Sequence, residues 1–171
     1  MTVADEIKDI DEQMQKTGHA TSIKQRRTRL IKLTYHGIVL AKKNRHIISS
    51  HGAVIPDRKA RENENDIINQ LAVGLKHQGI TDAFTLDQAS RMIKARKNNA
   101  EYSVQFNIFA GNEIRRDLDN QASTLLDAMT KAGAIPDDSI KFLKTIIINH
   151  KGIDRIDPRA EIIIKVEEDA N

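Results

Sequence analysis

The segment Glu101–Ala110 alternates apolar and polar side chains so regularly that it predicts a β-strand with one buried face. Tyr102, Val104, Phe106 and Ile108 fall on one side of such a strand, and polar residues lie between them. An α-helix would scatter these four side chains around its axis. We therefore take this strand as the most secure element of the chain and interpret the other segments relative to it.

The chain before this strand predicts one more strand and two helices. Residues 31–40 alternate well enough for a strand, and a polar loop follows from Lys42 to Asp57. Arg58–Lys76 has apolar residues at helical spacing. Thr85 and Gln88 form a capping-box pattern that predicts a shorter helix ending near Lys97.

After the strand Glu101–Ala110, the pattern predicts a helix and two further strands. The helix covers about Asn120 to Lys131 and stops at Gly133. Residues 140–149 and 161–166 are rich in isoleucine, and we expect them to pair as an antiparallel hairpin. The fold class that follows is α/β (α+β): a small mixed sheet of about four strands with helices packed on it.

Composition excludes several classes of protein. The 171 residues suffice for one domain with a core, and 39% hydrophobic with 30% charged residues is typical of a soluble globular protein. No apolar run approaches the roughly 20 residues that cross a bilayer, and the polar N-terminus does not resemble a secretory signal. The chain has no cysteine, which excludes disulfides and thiolate metal sites. We expect a cytoplasmic protein without a membrane partner.

Residues 1–28 are predicted to be an N-terminal extension to a domain formed by residues 29–171. Val3, Ile7, Ile10 and Met14 have the spacing of a helix-pair seam, so this arm should dock on its own domain, a second subunit or another protein.

Positive charge is concentrated in the first half of the chain, although the net charge is only +3. Residues 16–56 contain nine basic residues and no acid. Lys42, Lys43 and Arg45 in the polar loop are candidate contacts to DNA phosphates. A solvated basic face without a ligand is the alternative.

Two carboxylates follow the strand Glu101–Ala110, in the run Arg115-Arg116-Asp117-Leu118-Asp119-Asn120. If Asp117–Asp119 is extended, both carboxylates point to one side and can reach one Mg²⁺ ion, while Leu118 points into the core. If the same residues are helical, the two side chains diverge by about 200° and do not form a shared site. The alternative is that these aspartates have a structural role only. Asp119 could be the N-cap of the helix, and both aspartates could form a surface ion cluster with the arginines.

This region resembles the signature of the RusA family of Holliday-junction resolvases. Residues 116–120, the helix ending Leu126-Asp127-Ala128-Met129-Thr130-Lys131-Ala132-Gly133, and the pair Asp137-Asp138 are similar to that signature in residue type and spacing. The likeness is strong over residues 115–138 and weaker over the final strands and residues 38–71. Residues 1–28 have no counterpart, and residues 76–100 look expanded.

The resemblance implies a homodimeric, Mg²⁺-dependent endonuclease, often phage-encoded, that resolves Holliday junctions and other branched DNA in recombination and repair. Asp117, Asp119 and Asp138 correspond to the catalytic, metal-binding acids. Attack of a metal-activated water on a phosphodiester is the implied mechanism. Basic residues of the motif are the expected DNA contacts, namely Arg115, Arg116 and Lys131.

Ser123 departs from the family pattern, which has a catalytic lysine at this position of the helix. A serine hydroxyl replaces the charge of a lysine only weakly, so turnover depends on another cation. The candidates are Arg115, Arg116, Lys131 and Lys151.

Asp138 raises a question of distance. The preceding helix is about 18 Å long, and the connection from Ala132 to Asp137 spans about 20 Å when extended. We expect Asp138 to return to the pair within one subunit, and its supply by the partner subunit is the alternative.

Two other functions compete with the nuclease: a non-catalytic nucleic-acid-binding protein, and an adaptor that recruits a partner through its N-terminal arm. The six histidines lack the paired spacing of a zinc site. With only six aromatic residues, binding should depend on backbone phosphates and DNA shape rather than base stacking.

Overall fold

The computed structural model describes residues 25–41, 46–48, 51, 54–56, 58–113 and 117–170. The N-terminal arm that the sequence predicts lies outside these residues. No helix in the described part of the chain is long and apolar enough to span a bilayer. In chain order the elements are β1 (Arg26–His36), β2 (His46–Ile48), β3 (Val54–Pro56), α1 (Arg58–His77), α2 (Asp82–Thr85), α3 (Gln88–Lys97), β4 (Glu101–Ala110), α4 (Leu118–Ala132), β5 (Leu143–Ile153) and β6 (Arg159–Asp169).

A mixed four-stranded sheet in the order β1-β6-β4-β5 forms the centre of the fold. β4 and β5 are parallel, whereas β6 runs antiparallel to both β1 and β4. The predicted α+β architecture is therefore confirmed. β2 and β3 form a small separate hairpin inside the segment that the sequence assigned to a loop.

The expectation that the last two strands pair as a hairpin is wrong, because β4 lies between β5 and β6. β4, α4 and β5 form a β-α-β unit, and this crossover places β5 beside β4. β6 then pairs with the other edge of β4, and the turn that joins β5 to β6 crosses the end of β4. The Asp154 N–H of that turn donates to the Ala110 carbonyl at 2.8 Å.

The core lies between the helices and one face of the sheet. Phe106 from β4 is fully buried there, as are Ile162 and Ile164 from β6 and Leu125 and Met129 from α4. Burial of each such side chain contributes roughly 1.5–3 kcal/mol to stability. The predicted alternation of β4 is confirmed, since Val104, Phe106 and Ile108 are all buried.

β1 begins and ends earlier than the predicted strand over residues 31–40. It starts at Arg26, which also precedes the predicted start of the domain at residue 29. It ends at His36 because Gly37 has a φ of +140°, a conformation that few other residues adopt. The Gly37 N–H then donates to the Pro158 carbonyl at 2.7 Å, which joins the end of β1 to the turn before β6.

The side-chain amides of Gln70 and Gln78 connect α1 to β1 by hydrogen bonds to the strand backbone. The Gln70 Oε1 accepts a hydrogen bond from the His36 N–H at 2.9 Å, and the Gln70 Nε2 donates one to the His36 carbonyl at 3.1 Å. Gln78 donates to the Lys32 carbonyl at 2.7 Å. These bonds use the backbone groups of an edge strand that would otherwise be open to solvent.

The ends of two later helices test the capping predictions. α3 is capped by Asp87, whose carboxylate accepts the Ser90 N–H at 2.7 Å, so the capping box predicted from Thr85 and Gln88 is wrong. The predicted stop of α4 is confirmed, since Gly133 is left-handed with a φ of +82°. A Cβ at Gly133 would lie 2.7 Å from the Cα of Ala83, so this position also permits close packing.

β5 forms the second edge of the sheet and is exposed over most of its length. Among its residues only Leu143 is buried. Ile146 and Ile147 are 45% and 46% exposed although their side chains are wholly apolar. An edge strand rich in β-branched apolar residues is a surface suited to pairing with another strand.

Candidate metal and DNA site

The two closely spaced aspartates of the sequence, Asp117 and Asp119, lie at the start of α4 in the structure. Asp117 is the N-cap residue, with an extended backbone (φ −83°, ψ 122°), and Asp119 lies in the first helical turn. Leu118 packs against the core, as predicted. The condition of one extended segment through Asp117–Asp119 is met at Asp117 but not at Asp119, because the helix begins at Leu118.

Neither carboxylate is used to cap the helix. The Asp117 side chain makes no capping bond, although its position is one at which aspartate usually accepts a backbone N–H. Its Oδ2 accepts from Asn120 Nδ2 at 3.3 Å. Asp119 lies beyond the N-cap, so the alternative that Asp119 caps the helix is wrong. Both side chains are exposed, which leaves their oxygens accessible to a ligand.

A buried glutamine fixes the start of α4 against the sheet. Gln121 is 5% exposed, and its Nε2 donates to the Val39 carbonyl at 2.9 Å. Val39 lies just after β1, which ends at His36. His36 pairs with Arg159 of β6, and Arg159 pairs in turn with Phe109 near the end of β4. Asp117 and Asp119 therefore lie at the carboxyl end of β4.

Asp138 lies at the other end of the sheet. The Ser139 carbonyl beside it accepts the Leu143 N–H at 2.9 Å, and the Phe142 carbonyl accepts the Tyr102 N–H at 2.8 Å. Tyr102 and Phe109 are separated along β4 by about 23 Å at about 3.3 Å per residue. The expected return of Asp138 to the pair within one chain is thus not what the structure shows. Asp138 is exposed at this opposite end.

The described residues contain no group of three or more His, Asp or Glu side chains that could hold a metal ion. Asp117 and Asp119 supply the oxygen donors that Mg²⁺ prefers, and Mg²⁺ commonly takes one or two carboxylates with water and phosphate oxygens as the other ligands. Asp117 and Asp119 thus provide donor atoms of the kind that such an ion takes. Among the described residues, the third predicted acid, Asp138, lies at the opposite end of the sheet.

Lys131, predicted to contact DNA, makes an ion pair within the fold. Its ammonium contacts the carboxylate of Glu64, a residue of α1 that is only 5% exposed. The pair joins α4 to α1. The other predicted DNA contacts lie outside the described residues: Lys42, Lys43, Arg45, Arg115 and Arg116.

The turn from Asp154 to Pro158 lies at the carboxyl end of β4, the same end as Asp117 and Asp119. The sequence did not predict a role for it. Arg159 binds Asp154 at 2.8 Å and Glu161 at 3.0 Å, and its guanidinium lies 3.7 Å from the ring centre of Phe109. The Asp157 N–H and Arg159 lower the pKa of Asp154. Sequence patterns do not reveal this cluster, because the strand pairing that assembles it joins β6 to β4.

A comparison with protein families bears on the whole of this region. Residues 37–165 match the family model described as Endodeoxyribonuclease RusA. No curated protein matches the chain. The matched range contains β4, α4, β5, most of β6 and all three predicted acids, and it covers most of the chain. The chain therefore belongs to the RusA endodeoxyribonuclease family.

Proposed function

We propose that this protein is a Mg²⁺-dependent endonuclease that resolves Holliday junctions and other branched DNA in the cytoplasm, during recombination and repair. Membership of an endodeoxyribonuclease family supports the nuclease itself. The observation that carries the metal site is at α4. Two exposed carboxylates stand two residues apart at the start of a helix, and the helix uses neither of them as a cap.

Asp117 and Asp119 would hold the ion. When bound, Mg²⁺ supplies a water that ionises more readily and stabilises negative charge on the phosphate. Asn120 restricts the carboxylate of Asp117 through its hydrogen bond. Gln121 holds the first turn of α4 on the end of the sheet, so both acids are positioned before DNA binds.

Two acidic side chains of the same sign stand close together at the start of α4, where the positive end of the helix backbone dipole lies. A divalent ion and the basic residues next to the motif, Arg115 and Arg116, would balance this charge when a phosphate approaches.

The third acid would come from a second subunit. A homodimer in which β5 pairs antiparallel with the partner's β5 places the start of one strand next to the end of the other. Asp138 of the partner subunit would then approach Asp117 and Asp119. The free edge of β5 and its exposed isoleucines, Ile146 and Ile147, support this mode of pairing.

Binding of branched DNA would depend on phosphate contacts from Lys42, Lys43 and Arg45 together with the two motif arginines. Such contacts act through counterion release and orient the duplex without reading its sequence. They would bring a strand of the junction over the carboxyl end of β4, where Asp117 lies.

The test is cleavage of a synthetic four-way junction by purified protein, with Mg²⁺ and with EDTA, next to a duplex of equal length. We expect Mg²⁺-dependent cleavage of the junction. Asp117→Asn and Asp119→Asn should each abolish cleavage while junction affinity stays equal or rises, because a negative charge near phosphate is removed. Asp66→Asn on the exposed face of α1 is the charge-matched control.

Unchanged cleavage by both variants would reject the metal site. Junction binding without any cleavage by the unmodified protein would instead support the second candidate, a branched-DNA-binding protein with little or no activity. The serine at position 123 favours that candidate, because the family has a lysine there.

A further inference from the structure

The β4–β5 pairing is irregular at two places, between Tyr102 and Ser103 and between Ile108 and Phe109, and the second lies at its carboxyl end. Ile108 is level with His150, but the next residue, Phe109, is level with Gly152. Lys151 is therefore the extra residue of a β-bulge. The following Gly152 has a φ of +111°, which accommodates the local change in direction. Bulges occur often beside active sites, where they redirect a side chain.

Lys151 lies at the same end of the β4–α4–β5 unit as the two carboxylates. α4 begins near the carboxyl end of β4, and β5 runs parallel to β4, so the end of β5 is also at that edge. Leu118 at the start of α4 and Ile148 near the end of β5 both pack against the main core. The bulge therefore lies at the end of this unit at which α4 starts.

Lys151 is also available for a ligand. It is exposed, and it makes no hydrogen bond or ion pair with any residue of the described ranges. Two other lysines of this unit are engaged: Lys131 contacts Glu64, and Lys144 at the start of β5 donates to the Ile140 carbonyl at 3.1 Å.

We propose that Lys151 is the catalytic cation that takes the place of the lysine missing at Ser123. This inference rests on the proposed nuclease function. The ammonium of Lys151 would contact a non-bridging oxygen of the phosphate held at Asp117 and Asp119. It keeps its proton throughout and acts by stabilising the negative charge that builds up on the phosphate during hydrolysis.

Single-turnover cleavage of a four-way junction at saturating protein tests the proposal. Lys151→Ala should slow cleavage by on the order of 100-fold, while the junction dissociation constant changes far less. Lys76→Ala, on the exposed face of α1 beside the opposite edge strand β1, should leave the rate unchanged. Thermal unfolding of both variants checks that the sheet is intact.

A second variant separates charge at the phosphate from a general effect on the fold. Lys151→Ala combined with Ser123→Lys restores a lysine on α4, as in the family, and should recover most of the lost rate. Recovery supports the proposal. A rate that Lys151→Ala does not change, a rate loss matched by an equal loss of affinity, or a loss that Ser123→Lys fails to restore would overturn it.

The two proposals fail in different ways. If the unmodified protein does not cleave junctions with Mg²⁺, the nuclease function itself is rejected. If it cleaves and Lys151→Ala cleaves equally well, the nuclease stands and only the role of Lys151 is rejected.

Discussion

Asp117 and Asp138 lie at opposite ends of the β4–α4–β5 unit. α4 has 15 residues and separates the two acids by about 22 Å along its axis. The turn after Gly133 leads directly into β5 rather than back to the start of the helix, since the Ser139 carbonyl accepts from Leu143. One chain therefore presents Asp117 and Asp119 at one end of this unit and Asp138 at the other.

We predict that two inactive variants complement each other when mixed. An Asp117→Asn subunit retains Asp138, and an Asp138→Asn subunit retains Asp117, so their heterodimer contains one complete shared site. After random exchange, about a quarter of all sites would be intact, and nicking of the junction should return to that extent.

Mixing Asp117→Asn with Asp119→Asn is the control for this experiment. Both of these acids come from the start of the same α4, so the heterodimer has no complete site and should stay inactive. Activity in that control, or its absence from the first mixture, would contradict a site shared between subunits.

Lys131→Met should affect stability more than DNA binding. The substitution leaves the Glu64 carboxylate, 5% exposed, without its ammonium partner. Loss of a partner to a buried charged group costs about 2 kcal/mol. Urea unfolding should show this loss, and Glu64→Gln added to Lys131→Met should recover part of it. Weakened junction binding at full stability would show instead that Lys131 contacts DNA.

Junction binding should depend steeply on salt concentration if the basic loop contacts phosphates. Each contact contributes about 0.9 to the slope of log affinity against log salt, so replacing Lys42, Lys43 and Arg45 with alanine should flatten that slope. Fluorescence anisotropy over a salt series measures it. An unaltered slope would show that the loop does not contact DNA. The control replaces three exposed cations of α1: Lys59, Arg61 and Lys76.

Burial of the Tyr35 phenol should lower the free energy of unfolding at alkaline pH. Burial, followed by the negative charge of Asp66, raises the pKa of the Tyr35 phenol to about 12. In the unfolded chain the phenol ionises near pH 10, so the free energy of unfolding falls as the pH rises from about 10 to about 12. Below about pH 10 the phenol is protonated in both states and has no pH-dependent effect.

Tyr35→Phe should reduce this decline. The variant also loses the hydrogen bond from Asn63 Nδ2, 2.8 Å in length, but that loss is present at every pH below ionisation. Urea unfolding at about pH 9 and about pH 11.5 compares the two proteins. An equal decline in both would show that Tyr35 keeps an ordinary pKa.

Local sequence patterns determined the elements whose periodicity is complete within a few residues. The alternation through β4 and the apolar stripe of α4 with Gly133 at its end are examples, and the structure confirms both. The spacing of Asp117 and Asp119 located the candidate site for the same reason, since two residues that close in sequence must stay close in space.

The tertiary structure decided everything that depends on contacts between distant segments. β5 and β6 are similar in composition and neighbours in sequence, so only the β4–α4–β5 crossover shows that β4 separates them. The same crossover places Asp138 away from Asp117. The partner of Lys131 and the bulge at Lys151 also depend on pairing between separate elements. Short-range periodicity specifies which face of a strand is buried, but the order of the strands follows from how the whole chain packs.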